Sequence, residues 1–210
     1  MNRIMLKAIL YFNQIDYYKY LPQIDCGECG FETCKELLER LRTYEYKPEV
    51  CPYISGNMAY AFSTALNSEK IIPEIELMQL PVPAEVGLVE FNMPDKDSTL
   101  LISGNSELTQ VALSAILSTT VKPFYVLFMD TKGDTMDMAV ILKTFTPERV
   151  KNMIEDNNMS EKLNHREIII PGFAEPLTKE IERLTGWKVN IGPVCCGELP
   201  LYLGKDWAAP

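Results

Sequence analysis

The chain has 210 residues, of which 47% are hydrophobic and 23% charged, and its formal net charge is −9. A chain of this size can bury one good core and add a small module, and no apolar run approaches the roughly 18 residues that span a bilayer. The acidic balance argues against nucleic acid as a partner, because neutralising phosphates requires a basic face. We therefore expect a protein that binds neither nucleic acid nor a membrane.

The N-terminal part of the chain contains four closely spaced cysteines. They follow the pattern C-x2-C-x4-C-x16-C and are Cys26, Cys29, Cys34 and Cys51. A 4Fe–4S cluster takes four thiolate ligands, and one short segment can supply them in this way. Gly27 and Gly30 follow the first two cysteines, where a tight loop around metal needs positive φ, and Pro52 follows the last one, as in bacterial ferredoxin-type runs. The spacing predicts a 4Fe–4S cluster on these four ligands.

Two other uses of the cysteines remain open. Structural zinc usually takes two pairs of similar short spacing, and the isolated Cys51 fits that pattern poorly. A disulfide framework requires a secreted protein, whereas the sequence from Asn2 onward shows no signal peptide. The cysteines therefore favour an iron–sulfur protein in a reducing cytoplasm.

Residues 1–58 form the expected iron–sulfur module. Within them, residues 34–44 have apolar side chains on one side and charges on the other, which predicts a short helix that begins at a cluster ligand. A second helix is expected over residues 58–66. The prolines that follow indicate an extended connector, so we assign residues 59–97 to a linker.

The chain becomes regular from Ser98. Apolar runs that end in polar or glycine turns predict buried strands over residues 99–102, Phe124–Met129, Glu167–Ile170 and Lys188–Ile191. Helices are expected between and after them, over residues 106–119 and 135–143, from Thr146-Pro147 onward, and over residues 175–184. This alternation predicts an open, Rossmann-like α/β domain over residues 98–210. Its sheet should be largely parallel, with ligands bound outside the carboxyl ends of the strands.

The α/β domain has few residues that indicate catalysis or nucleotide binding. The sequence has neither a G-x-G-x-x-G nor a Walker-type loop, so nucleotide binding is not indicated. The single histidine, His165, is more often structural than catalytic in such a position. Cys195 and Cys196 form a vicinal pair at a strand-to-helix turn, where they are either activated thiols or small residues tolerated in a turn. We assign no catalytic residue.

Both ends of the sequence resemble one protein family. The stretch YLPQIDCGECGFETC, residues 20–34, and the later CPY are similar to the iron–sulfur domain of the corrinoid iron–sulfur protein large (gamma) subunit. The C-terminal stretches DTKG, NHREIIIPG, TGWKVNIGP and ELP are similar to the cobalamin-binding domain of that subunit. The family belongs to the CO dehydrogenase/acetyl-CoA synthase (acetyl-CoA decarbonylase/synthase) pathway. The chain resembles a shortened form of this subunit. The family has a TIM-barrel domain between the iron–sulfur and cobalamin-binding domains, and here the residues between them are too few to form one.

The resemblance implies a second cofactor, cobalamin or another corrinoid, and residues that contact it. Carried over by position, these residues are Ser103, Thr109, Gly133, Asp134, Thr135, Met136 and Cys196. Residues 141–144 depart from the small-residue stretch that the family has after its Asp-Thr-x-Gly turn. Cys196 stands where the family usually has alanine.

The resemblance also implies a function in anaerobic one-carbon metabolism. The protein would carry methyl groups on base-off cobalamin between methyltransferase partners, as a component of a methyltransferase system rather than a stand-alone enzyme. Its 4Fe–4S cluster would reductively activate the cobalt, with a reductive activator or a ferredoxin as a further partner. The departure at residues 141–144 keeps an alternative open, a 4Fe–4S electron-transfer or regulatory protein whose α/β domain no longer binds a corrinoid.

Overall fold

The computed structural model of the protein describes residues 10–74 and 81–210. Its helices are α1 (Cys34–Arg42), α2 (Gly56–Leu66), α3 (Ser68–Ile71), α4 (Glu107–Leu117), α5 (Met136–Ile141), α6 (Pro147–Asp156), α7 (Met159–Lys162), α8 (Thr178–Thr185) and α9 (Leu199–Leu203). Its strands are β1 (Gly87–Phe91), β2 (Thr99–Gly104), β3 (Phe124–Met129), β4 (Glu167–Ile170) and β5 (Lys188–Ile191). Short 3₁₀ turns include Tyr17–Tyr20, Gly172–Leu177 and Cys196–Glu198. The first nine residues of the expected iron–sulfur module and residues 75–80 of the expected linker lie outside the described residues.

The strands form one sheet in the order β1-β3-β2-β4-β5. β2 lies parallel to both β3 and β4, and β4 lies parallel to β5, whereas β1 is antiparallel to β3. All residues of β3 and nearly all of β2 are buried, which is typical of parallel strands with helices on both faces. The α/β class expected from the alternating pattern is confirmed.

β1 is a strand that the sequence pattern did not predict. It lies in the expected linker, residues 59–97, which also contains most of α2 and all of α3. β1 forms by backbone pairing with β3, from Gly87 opposite Phe128 to Phe91 opposite Phe124, and such long-range pairing leaves little local signature. This segment is therefore part of the fold, while the boundaries of the two modules stay a prediction.

The expected helices form with slightly different bounds. The helix expected over residues 175–184 begins only at Thr178, because Pro176 lies within the preceding 3₁₀ turn and removes a backbone donor. α6 begins as expected, with the Thr146 hydroxyl accepting a hydrogen bond from the Arg149 amide at 3.4 Å. Gly186 ends α8 in the left-handed conformation, at a φ of 70°.

α1 begins at a cysteine because the residues before it cap the helix. The Thr33 hydroxyl accepts a hydrogen bond from the Glu36 amide at 3.1 Å, and the Glu36 carboxylate accepts one from the Glu32 amide at 3.1 Å. Leu37 and Leu41 are completely buried on the opposite side from the charged residues. Capping and burial together fix the position of the cysteine in the first turn.

A buried core joins the N-terminal module to the end of the α/β domain. Cys34 and Cys51 of the module belong to the same apolar cluster as Cys195 and Leu201. Two further apolar clusters pack against the two faces of the sheet. Within residues 10–74 and 81–210, no helix is long and apolar enough to cross a membrane.

Candidate cofactor sites

The four predicted ligands come together around one small pocket. Cys26, Cys29, Cys34 and Cys51 all line it, between the loop after the first 3₁₀ turns and the turn that ends in Tyr53. Gly27 and Gly30 have φ of 75° and 87°, and the Gly30 amide donates to the Gly27 carbonyl at 2.9 Å, which closes the tight turn. The sequence-based expectation for this loop geometry is therefore met.

A side chain of the loop orients its buried end. The Asp25 carboxylate accepts a hydrogen bond from the Cys34 amide at 2.6 Å, which ties the start of the loop to the start of α1. Cys34 and Cys51 are buried, Cys29 is half-buried and Cys26 is exposed. The pocket therefore has an inner edge toward the core and an outer edge toward solvent.

The electrostatics of the pocket reflect the proximity of the thiols. Burial raises the pKa of the Cys51 thiol, and the neighbouring thiols raise it further, while a hydrogen bond from the Tyr53 backbone acts in the opposite direction. A bound metal ion would instead lower the pKa of the thiols that coordinate it, so that they are deprotonated.

The donor set fits a cluster. Among the described residues, no three His, Cys, Asp or Glu side chains converge closely enough to hold a single metal ion. The four thiols instead surround a shared cavity. A 4Fe–4S cluster does not require convergence on one point, because its four thiolates bind different irons.

A second cavity lies at the carboxyl ends of the parallel strands. It encloses about 130 Å³ and is lined mostly by apolar side chains of β2, β4, α4 and the loops after β4 and β5. This is the edge of the sheet where ligands bind in open α/β folds. The volume is below the roughly 300–1,000 Å³ of pockets that enclose a drug-sized ligand. The cavity can therefore receive only part of a cofactor as large as a corrinoid.

The predicted corrinoid contacts divide into two groups. Five of them line the cavity: Ser103, Thr109, Thr135, Met136 and Cys196. Gly133 and Asp134 do not line it. A side chain at Gly133 would overlap the backbone of Val82 and Pro83, so this glycine permits the close approach of the chain's own segment.

That segment also occupies the N-terminus of α4. The Glu107 amide donates to the Val82 carbonyl at 2.9 Å, and Pro83 forms an isolated β-bridge with Ser106. Asn105 is buried and accepts hydrogen bonds from the Thr131 amide at 2.8 Å and the Gly133 amide at 3.2 Å. The loops after β2 and β3 are therefore joined to each other and to the chain's own residues 82–83.

Sequence reasoning missed the wall formed by Tyr11, Asp137 and Phe173. The Tyr11 hydroxyl donates to the Asp137 carboxylate at 2.6 Å, and the Tyr11 ring packs edge-on against Phe173 with 5.0 Å between centroids. The Thr135 hydroxyl donates to the other Asp137 oxygen at 2.6 Å. All of these side chains line the cavity. No sequence signal pairs Tyr11 with residues so far along the chain.

The hydrogen bonds set the charge of this wall. The bond to Asp137, together with burial, raises the pKa of Tyr11 to about 12. Although burial alone would raise it, the hydrogen bonds from Thr135 and Tyr11 hold the pKa of Asp137 below its usual range. The cavity therefore carries one ionised carboxylate in a mainly apolar lining.

The structure shows the surroundings of Cys195, Cys196 and His165, whose roles the sequence left open. Cys195 and Cys196 line the cavity, but burial raises the pKa of both thiols, that of Cys195 to about 11. Such thiols are inert rather than activated. His165 lies at the amino end of β4, where its Nδ1 accepts from the Glu167 amide at 3.2 Å and its Nε2 donates to the Ser98 carbonyl at 3.0 Å. Both ring nitrogens are thus used by the backbone.

Comparison with known proteins places the chain. A family model described as "CO dehydrogenase/acetyl-CoA synthase delta subunit" matches residues 59–203, and one described as "Putative Fe-S cluster" matches residues 21–53. The chain belongs to the first of these families. The family resemblance expected from the sequence is thereby confirmed.

Individual relatives agree with this assignment. The chain is 36% identical to the acetyl-CoA decarbonylase/synthase complex subunit gamma of Archaeoglobus fulgidus over 60% of its length. It is 24% identical to the protein of the same name from Methanocaldococcus jannaschii over 92% of its length. It is 30% identical to the corrinoid/iron-sulfur protein large subunit of Moorella thermoacetica over 55% of its length. The matches span only 27%, 40% and 26% of these relatives, respectively.

Proposed function

We propose that this protein carries methyl groups on a corrinoid and keeps that corrinoid active with a 4Fe–4S cluster. The observation that supports this most is the coexistence of two sites in one chain of this family. One is a pocket of four thiols, and the other is an apolar cavity at the carboxyl ends of parallel strands. Relatives named as corrinoid/iron-sulfur and acetyl-CoA decarbonylase/synthase subunits support the same combination.

Each site has residues suited to its cofactor. Cys26, Cys29, Cys34 and Cys51 hold the cluster, and Ser103, Thr109, Thr135, Met136 and Cys196 contact the corrinoid. Gly133 and Asp134, the other two contacts that the family resemblance implies, lie in the loop beside the cavity and do not line it. When bound, the corrinoid supplies a cobalt that accepts and donates methyl groups, and the cluster supplies single electrons.

The chain offers the cobalt no imidazole. The only histidine in the sequence is His165, and the backbone uses both of its ring nitrogens at the amino end of β4. The cavity lies at the opposite ends of the strands. This protein would therefore supply no histidine to a bound corrinoid, and if the cofactor's own lower base is also off, the cobalt would be easier to reduce.

The partners and setting follow from this role. Methyltransferase proteins supply and accept the methyl group, so the protein is a component of a methyltransferase system rather than a complete enzyme. A reductive activator or a ferredoxin re-reduces the cluster. An exposed Cys26 makes the cluster accessible to oxygen, and the protein therefore works in an anaerobic cytoplasm.

A second candidate is a 4Fe–4S electron-transfer or regulatory protein that binds no corrinoid. The small volume of the cavity favours it, as does the exposure of Ile141 and Leu142 in the stretch that departs from the family. The two candidates differ in one measurable property, the uptake of cobalt.

The test is anaerobic reconstitution with iron, sulfide and cobalamin, followed by desalting, metal analysis and EPR of the Co(II) state. We expect near-stoichiometric cobalt with a base-off signal that lacks nitrogen splitting. Thr109→Trp should fill the cavity and abolish cobalt retention, whereas Ser118→Trp, an exposed position just after α4, should leave it intact. Iron without cobalt in the unmodified protein would overturn the methyl-carrier role and favour the second candidate.

A further inference from the structure

The turn of residues 195–198 touches both the strand-end cavity and the N-terminal module. Cys195 and Cys196 line the strand-end cavity. Cys195 is only 2% exposed and lies in the same apolar cluster as Cys34 and Cys51, the inner ligands of the four-thiol pocket. One buried core therefore connects the inner side of the pocket to the residues that line the cavity.

Phe12 of the N-terminal module and Ser68 at the start of α3 pack closely on this turn. A Cβ atom at Gly197 would lie 2.6 Å from the Ser68 hydroxyl oxygen and 3.1 Å from a ring carbon of Phe12. Only glycine fits between these groups, so the turn and the module have almost no space between them. Close packing alone does not fix the position of the N-terminal module on this turn. A second contact is needed to stop the two surfaces from sliding past each other.

Glu198 supplies such a contact. Its side chain is 7% exposed, and its Oε1 atom lies 2.6 Å from the Lys19 ammonium and accepts a hydrogen bond from the Tyr20 hydroxyl at 2.8 Å. Both partners belong to the 3₁₀ turn Tyr17–Tyr20, which directly precedes the cysteine loop. A buried carboxylate is stable only with such partners, so the module cannot leave the turn without exposing or unpairing this charge.

We propose that Glu198 is a positioning residue that sets the separation between the cluster and the cofactor cavity. By holding Tyr17–Tyr20 against residues 195–198, it keeps the inner edge of the cluster beside the wall of the cavity. This inference rests on the proposed function. With both cofactors bound, the step that it would serve is the transfer of one electron from the reduced cluster to Co(II), which would give Co(I) and an oxidised cluster. A low-potential one-electron donor would then reduce the cluster again.

The inference predicts a selective kinetic defect. Electron transfer slows steeply with distance, so Glu198→Ala should slow the single-turnover reduction of bound Co(II). We expect the rate to fall severalfold, because loss of this contact lets the module move away from the turn. Glu198→Gln keeps an acceptor for Tyr20 and should lose less. Iron content, corrinoid affinity and the midpoint potential of the cluster should stay unchanged in both variants.

A second readout does not depend on the corrinoid. Hydrogen–deuterium exchange of the iron-loaded, corrinoid-free protein should increase over Tyr17–Tyr20 and α1 in Glu198→Ala. Glu167→Ala is the matched control, because it removes an exposed carboxylate that lies 3.0 Å from Lys188 at the opposite edge of the sheet. It should alter neither the exchange over the N-terminal module nor the rate of reduction.

The outcomes separate the inference from the proposed function. If the unmodified protein retains no cobalt, the proposed function fails, while the exchange measurement still tests the contact. The positioning role is wrong if the unmodified protein retains cobalt but Glu198→Ala changes neither the rate of Co(II) reduction nor the hydrogen–deuterium exchange over the N-terminal module. If Glu198→Ala fails to fold, Glu198→Gln and Tyr20→Phe decide the question, and unmodified rates in both would overturn it.

Discussion

The two candidate sites differ in what holds them together. The four-thiol pocket depends on a short loop, which is held by hydrogen bonds such as the one that the Cys34 amide donates to the Asp25 carboxylate. The strand-end cavity is built by packing between distant parts of the chain, such as Tyr11 against Phe173. Metal binding supplies folding energy to sites of the first kind, whereas apolar packing forms sites of the second kind without a ligand. Loss of the cofactor should therefore disturb the pocket and leave the cavity in place.

The sharpest test of this difference is Cys34→Ser, for which we expect the largest effect. Cys34 is buried in the first turn of α1, so its loss should remove one of the proposed inner ligands and loosen both the loop and the helix. Iron retained after anaerobic reconstitution and desalting should fall to near zero. Hydrogen–deuterium exchange should rise over residues 22–42 but not over the strands of the sheet.

Cys196→Ser is the matched control, because it changes a cysteine that lies outside the pocket and lines the cavity. It should retain the unmodified amount of iron. Full iron retention in Cys34→Ser would contradict the assignment of this residue as a ligand.

The packing beneath the loop gives the next largest effect. Leu41 is completely buried on the inner side of α1, and Leu41→Ala should lower the free energy of unfolding by about 2–5 kcal/mol. Arg40→Ala removes the exposed neighbour that lies 3.0 Å from Glu45 and should cost no more than about 1 kcal/mol. Urea denaturation of the iron-loaded proteins measures both values. Equal costs would mean that α1 does not pack as described.

Gly133 tests how the chain's own connector contributes to the second site. Gly133→Ala forces a methyl group into the backbone of Val82 and Pro83 at a φ of 82°, so it should displace that segment. Gly186→Ala has a similar φ of 70° but open space around it, and should cost only about 1–2 kcal/mol of unfolding free energy. Urea denaturation should show a larger loss of unfolding free energy in Gly133→Ala than in Gly186→Ala. The difference measures the packing of residue 133 against residues 82–83. Equal losses would show that residues 82–83 do not press on the loop.

The same contrast explains how much could be predicted from the sequence. The cysteine loop is predictable from the sequence because its cysteines, glycines and helix cap lie within a short stretch. The four predicted strands are predictable because each is a single apolar run. β1 was missed because it forms only by pairing with β3. Gly133 is predicted to contact the corrinoid because of its place in a family motif, and nothing in the sequence indicates that it also packs against residues 82–83. Long-range packing of this kind leaves no mark on the local sequence.

The hydrogen bond between Tyr11 and Asp137 gives the smallest expected effect. It raises the pKa of Tyr11 to about 12 in the folded protein from a usual value of 10.0, so folding favours the neutral phenol. The resulting stabilisation is complete below pH 10 and disappears as the pH rises toward 12. Tyr11→Phe should therefore lose about 1 kcal/mol of unfolding free energy at pH 8, and the difference from the unmodified protein should shrink across this range.

Asp137→Asn provides the control, because it removes the charge that favours the neutral phenol. In that background, Tyr11→Phe should change the pH dependence of the unfolding free energy between pH 10 and 12 by less, because only burial still raises the pKa of Tyr11. If Tyr11→Phe and the unmodified protein instead show parallel pH profiles, the bond does not form in solution. Tyr11 would then be free to leave the cavity, and this wall, unlike the rest of the second site, would depend on a ligand as the cysteine loop does.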